Sequence, residues 1–231
     1  MPAPISVVIP TLHARDGLRK SLPPLVEGVA EGLIHSVVFA DGGSNDGVND
    51  IAEETGAEVV VTKPGRGTQL RAGIEAAKGD WILVLHADTV LPPQWTDHIS
   101  RALNAPDRAH VFRLSFDVAG FAPSFVAGWA NLRTRFFGLP YGDQGILLTK
   151  SLYQQVGGYQ DIPLMEDVAL AKALKGRITL LDATVVTSAE RYLRDGWFRR
   201  GARNIGLLLR YKLGADPKAL ANRYRSPAKK P

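Results

Sequence analysis

Short unbroken apolar runs alternate with longer segments whose apolar positions recur at helical spacing, and this holds for the first hundred or so residues. Residues 5–9 read as a strand, and residues 17–32 as a helix with Leu18, Leu22, Leu25, Val26 and Val29 at its apolar positions. Residues 37–40, 59–61 and 81–85 are the next strands. Helical patterns run from Asp46 or Val48 to Thr55 and over residues 67–77. A further helix is expected near Pro92-Pro93, because proline suits the first helical turn. Apolar runs without alternation mark strands covered on both faces, so the order predicts a parallel sheet with right-handed crossovers. The rhythm changes after residue 104. Strands are expected at 110–116, 145–149, 178–181 and 185–187, and helices at 125–136 and 163–174. No linker separates the halves, so the expectation is one α/β domain over residues 1–213 with a basic tail at 214–231. The end of that tail, from Arg225 on, is expected to be disordered.

Composition narrows the classes. Apolar residues make up 45% and charged residues 22%, as in soluble globular proteins. The chain of 231 residues has no cysteine, which excludes disulfides, cysteine-ligated zinc and a thiol nucleophile, and fits a reducing compartment. The start has no basic leader, and no apolar run approaches the roughly 18 residues of a membrane span, so the expected location is the cytoplasm. The net charge of +5 is uneven, with +9 on residues 190–231 and −4 on the rest. A solvated basic tail accounts for this. Attraction to an anionic membrane surface or to a phosphorylated substrate is the sharper alternative. In residues 196–213, Arg199, Arg203 and Arg210 share a helical face, which could rest peripherally on the inner face of a membrane.

Two strands end on an aspartate. The first leads into Asp41-Gly42-Gly43-Ser44-Asn45-Asp46-Gly47, the second into His86-Ala87-Asp88-Thr89. Ligands of open α/β sheets sit beyond the carboxyl ends of the strands, so both carboxylates point to one site for a hydroxylated ligand and a metal. Asp41 could accept hydrogen bonds from a ribose or base, while Asp46 is as well explained as a helix cap. Residues 86 and 88 would share a strand face, where imidazole and carboxylate could hold Mg²⁺ or Mn²⁺ with diphosphate oxygens completing the shell. Gly65-Arg66-Gly67-Thr68-Gln69 suits a phosphate or a base edge at a helix start, and equally a solvated turn. Glu166-Asp167 could supply a general base, although acidic residues also simply favour a helix N-terminus.

Taken in order, Pro10-Thr11, Asp41-Gly42-Gly43-Ser44, Asp88 and Glu166-Asp167 resemble glycosyltransferase family 2, which has the GT-A fold. Further segments resemble one subgroup, the transferases associated with radical-SAM/selenodomain proteins and arsenosugar biosynthesis. They are Gly65-Arg66…Gln69, His86-Ala87-Asp88-Thr89, Leu139-Pro140-Tyr141-Gly142-Asp143-Gln144-Gly145, Gly157-Gly158-Tyr159, Leu164-Met165-Glu166-Asp167 and Ser188-Ala189-Glu190-Arg191.

The resemblance implies a metal-dependent, inverting transfer from a nucleoside-diphosphate sugar to a hydroxyl acceptor, with residues 1–104 binding the nucleotide and 105–213 the acceptor. Donor contacts would come from Pro10, Thr11, Asp41, Gly42, Gly65, Arg66, Gln69 and Ala87. Asp88 and His86 would hold a divalent cation, Mn²⁺ or Mg²⁺, Asp167 would be the base with Glu166 in support, and Tyr141, Asp143 and Gln144 would meet the acceptor. Four departures bear on activity: His13-Ala14 in place of Asn-Glu, Arg71 for Asn, His86 for the first aspartate of Asp-x-Asp, and Glu190 for an arginine. The rivals are a sugar nucleotidyltransferase, whose glycine-rich basic loop after the first strand is missing here, and a non-catalytic nucleotide-sugar-binding domain.

Overall fold

Strands β1 (Ile5–Thr11), β2 (Ile34–Asp41), β3 (Glu58–Val61) and β4 (Trp81–Val84) run parallel in the spatial order β3-β2-β1-β4. This is a computed structural model, and it describes residues 3–225. Beyond β4 the sheet continues through β7 (Ile146–Thr149), β6 (Ala109–Phe116), β8 (Ile178–Thr187) and β5 (Thr89–Val90), making eight strands. β7 and β5 run against the others, so the sheet is mostly parallel, as expected.

Alternation along the buried strands divides the core. Ile5, Val7 and Ile9 of β1 face one side with Phe39 and Leu83, beneath Leu18, Leu25, Trp95 and Ile99. Val8, Val38, Ile82 and Val84 face the other, beneath Leu70, Ile74, Leu170 and Leu174. The first layer is carried by α1 (Arg15–Ser21), α2 (Leu25–Ala30), α3 (Val48–Thr55) and α5 (Trp95–Ala102), the second by α4 (Arg66–Ala76), α7 (Lys150–Gln155) and α8 (Glu166–Ala173). Helices α6 (Phe121–Phe137), α9 (Glu190–Asp195), α10 (Trp197–Lys212) and α11 (Pro217–Arg225) complete the chain order.

Several elements depart from the sequence reading. The helix expected over residues 17–32 is two helices, because Pro23 and Pro24 lack the amide protons that would continue its hydrogen bonds. Residues 178–181 and 185–187 form a single strand whose register slips opposite Val111 and Arg113. There Asp182 turns outward to pair with Arg113 at 3.1 Å, and this polar interruption split the apolar signal. The helix expected near Pro92-Pro93 starts at Trp95, after Gln94 in left-handed backbone. Part of the expected tail is α11, with Leu220 and Ala221 buried and Leu220 packed against Leu207 and Leu208. Residues 226–231, most of the segment expected to be disordered, lie outside the described residues.

Candidate active site

The parallel strands end on one edge, where Thr11 and Asp41 are register partners. Thr11 Oγ1 and Ser44 Oγ donate to Asp41 Oδ1 at 2.8 and 2.5 Å, and the amides of Gly43 and Ser44 donate to Oδ2 at 2.9 and 2.7 Å. Burial pushes the Asp41 carboxyl up, but these bonds from Ser44, Thr11 and Gly43 outweigh it and hold it below its ordinary value. The Asp41 carboxylate thus organises the loop after β2, where Gly42 N donates to Thr11 O at 2.9 Å. Gln69 does similar work. Its amide nitrogen donates to Thr11 O at 2.7 Å and Ala40 O at 2.9 Å, its oxygen accepts from Gly65 N at 3.3 Å, and the residue still borders the cleft.

That cleft has a volume of about 1180 Å³. Pro10, Thr11, Gly65, Arg66 and Ala87, expected as donor contacts, line it together with His86 and Asp88, expected as metal ligands. Its far wall carries Arg191 and Arg194 of α9 and Arg199, Arg200 and Arg203 of α10, with Lys20 of α1 on the near side. The sequence reading places Arg199 and Arg203 on a candidate membrane face, and the spacing of Arg203, three residues after Arg200 and four after Arg199, is the signal that these three share one wall. Arg210, grouped with them there, does not reach the cleft.

A smaller recess of about 130 Å³ adjoins the cleft, sharing Arg66, His86, Asp88, Glu166 and Arg191 with it and adding Tyr141, Gly142, Asp143 and Asp167. Asp167 Oδ2 accepts from Gly142 N at 3.0 Å, and Oδ1 from Val168 N at 2.7 Å. Met165, just before α8, holds left-handed backbone at φ 69° among buried side chains that include Leu139 and Val168. Strain of this kind, at a residue with a side chain, costs about 1–2 kcal/mol and aims the first turn of α8 at the recess. Burial, reinforced by Asp167 and opposed by Arg66, pushes Glu166 up to about 7. Arg66 Nε lies 3.8 Å from Glu166 Oε1. Burial also pushes Asp143 up to about 6, with Arg133 opposing and Asp167 and Asp88 adding. Gln144 is fully buried, with Nε2 donating to Phe112 O at 3.0 Å and Oε1 accepting from Thr134 Oγ1 at 2.7 Å.

His86 sits where both spaces meet. Burial first, then the charges of Arg66 and Arg191, hold its pKa well below the ordinary value, so the ring is neutral and keeps a lone pair for a ligand. Gly142 packs on that ring, and a Cβ there would lie 2.3 Å from His86 Nε2. Among the described residues no three His, Asp or Glu side chains converge as a metal cage. Asp88 and His86 offer two donors, with the buried and unpartnered Asp143 Oδ1 also in the recess. This donor set fits a cation whose shell a diphosphate completes, and does not fit an all-protein site.

Comparison with known proteins agrees with this geometry. The model of the family "Glycosyl transferase family 2" matches residues 6–121, half of the chain. A glucosyl-3-phosphoglycerate synthase of Mycolicibacterium paratuberculosis is 29% identical over 122 residues, 47% of this chain and 36% of that protein. The S. aureus TarS 1–349 structure with UDP-GlcNAc is similar at TM-score 0.62 and 15% identity, over 80% of this chain and 58% of that one. TarS 1–349 with UDP gives TM-score 0.61 at 16% identity over 82% and 62% of the two chains. The chain thus spans about a third of that curated relative and about three fifths of TarS 1–349. The structural likeness is one of fold, a single α/β domain of the GT-A type. The family match covers β1 through β6 with the floor of the cleft, and on it the chain belongs to glycosyl transferase family 2.

Proposed function

We propose that this domain transfers a glycosyl group, with inversion, from a uridine or guanosine diphosphate sugar to an acceptor hydroxyl. The observation that carries the reading is the shared wall. A cleft of about 1180 Å³, ample for a nucleotide sugar, meets the recess holding Asp167 at His86, Asp88 and Arg66. The similar TarS structures in complex with UDP and with UDP-GlcNAc support a nucleoside-diphosphate donor. Within the family, the ordered motifs favour the radical-SAM/selenodomain-associated subgroup and leave the sugar and acceptor open.

In this reading residues 1–104 seat the donor and residues 105–213 the acceptor. Asp41 and Gln69 position Thr11 and the Gly65 loop at the donor side of the cleft. The Gly142 and Val168 amides hold the Asp167 carboxylate, which takes the acceptor's proton. The acceptor oxygen bonds to the anomeric carbon as that carbon's bond to the diphosphate breaks, and the electron pair leaves with the nucleoside diphosphate. Arg66 and Arg191 face the same space and stabilise the leaving charge. Asp88 and neutral His86 would hold a divalent cation, which when bound supplies Lewis-acid neutralisation of the diphosphate.

Product analysis tests this. With Mn²⁺ and a panel of uridine and guanosine diphosphate sugars, at least one should yield nucleoside diphosphate. Asp167→Asn should abolish that release while leaving donor affinity within about twofold, as expected for loss of an interaction made in the transition state. Pyrophosphate release would establish nucleotidyl transfer instead, and undiminished turnover by Asp167→Asn would remove the base from that position.

A further inference from the structure

Helices α6 and α10 turn a continuous apolar face to solvent. On α6, Phe121, Phe125, Trp129, Leu132 and Phe136 recur at the three- and four-residue spacing of one helix face, and each is at least 43% exposed. The Phe121 and Phe125 rings stack at 6.2 Å, and Phe198 of α10 lies 6.1 Å from Phe125, so the stripe crosses from one helix to the other. It runs on along α10 to Leu209 and Leu213, 55% and 87% exposed. Scattered apolar residues on a surface need no explanation, but a contiguous aromatic patch marks an interaction site.

Charge identifies the partner. Neither helix contains an aspartate or glutamate; of their seven Arg and Lys residues, Arg133 and Arg200 are buried, Arg199 and Arg203 line the cleft, and the other three border the apolar face. Those three, Arg135, Arg210 and Lys212, are exposed. A two-fold copy would set this all-basic border against itself with no acidic residue of either helix to answer it. An anionic lipid surface answers it directly.

We propose that the α6–α10 face seats the protein on an anionic membrane surface, with the aromatic side chains in the headgroup–acyl boundary and the basic ones on lipid phosphates. The contact is interfacial, since no helix among the described residues is long and apolar enough to cross a membrane. Because α10 also lends Arg199 and Arg203 to the cleft wall, the seated face and the cleft share one helix. The inference stands apart from the transfer reading, and its test requires no turnover.

The experiment is flotation of the full chain with vesicles of phosphatidylcholine alone or mixed with phosphatidylglycerol. The protein should float with the anionic vesicles and release at high salt. The exposed double variant Phe125→Ser/Phe136→Ser should cut partitioning about tenfold or more, as expected for withdrawing two aromatic side chains from an apolar phase, with an unchanged melting temperature. Flotation indifferent to phosphatidylglycerol, or to the double substitution, would overturn the proposal. So would no flotation together with a dimer in sedimentation velocity that the same substitutions dissolve, because the face would then belong to a second copy. Absence of both flotation and dimer would overturn it as well.

Discussion

Gly142→Ala is the smallest change that should disable the site, because one methyl group bears on two of its parts. The added Cβ would lie 2.3 Å from His86 Nε2 and 2.9 Å from its Cε1, where ordinary contact begins at 3.4 Å. The ring or the backbone must therefore yield by about 1 Å, an overpacking cost of about 1–3 kcal/mol in stability. If the imidazole yields, His86 leaves its position beside Asp88. If the backbone yields, the Gly142 amide pulls away from Asp167 Oδ2, now 3.0 Å distant. Either way a reacting group is misplaced by about 1 Å, which costs about a hundredfold in rate. Gly142 is not among the residues with left-handed backbone, so alanine adds steric conflict and no conformational penalty. The assay is nucleoside diphosphate release at saturating donor, paired with a thermal melt. A folded Gly142→Ala protein with turnover within about threefold of wild type would refute the coupling of His86 and Asp167 through this glycine.

Glu166 ionises with difficulty, since burial and Asp167 lift it from 4.5 to about 7. Its ionisation therefore penalises the folded state, with no penalty below about pH 4.5 and the full penalty above about pH 7. Glu166→Gln should accordingly raise stability by on the order of 2 kcal/mol at pH 8 and by little near pH 4.5, read from urea midpoints at each pH, and an equal increment at both would count against the buried charge. Asp41→Asn leaves at least one buried donor among Thr11, Gly43 and Ser44 unanswered. It should cost about 1–3 kcal/mol in a thermal melt and weaken nucleotide binding through the loop, whereas a fully stable variant that binds no nucleotide would show that the carboxylate contacts the nucleotide directly.

Much of the front half was legible because its strands are covered on both faces. Val37 to Ala40 and Trp81 to Val84 are apolar without interruption, and an aspartate soon after the end of such a run falls at the ligand edge whatever else the chain does. Legibility ended where a side chain's partner lies far off in sequence. Nothing near Asp41 reveals that Thr11, thirty positions earlier, would occupy one of its oxygens. Gln144 sits in a glycine-rich polar loop, and only the arrival of Thr134 and the Phe112 carbonyl turns its amide inward. The α10 arginines showed a helical face, but which neighbour that face met depended on the turn at Gly196, φ 83°, which sets α10 against α9. The Pro23-Pro24 break, by contrast, is readable from proline chemistry, although the apolar period runs across it.

The central claim is that Asp88, with one imidazole in place of a second carboxylate, holds a cation on the donor's diphosphate. Calorimetric titration with uridine and guanosine diphosphate, in Mn²⁺ and in chelator, tests it most directly. At least one nucleotide should bind about tenfold or more tightly with the metal, and Asp88→Asn should erase that difference without changing the metal-free affinity. Equal affinity with and without Mn²⁺ in the unaltered protein would contradict this and leave Lys20, Arg66 and the α9–α10 arginines to supply the diphosphate's counter-charge.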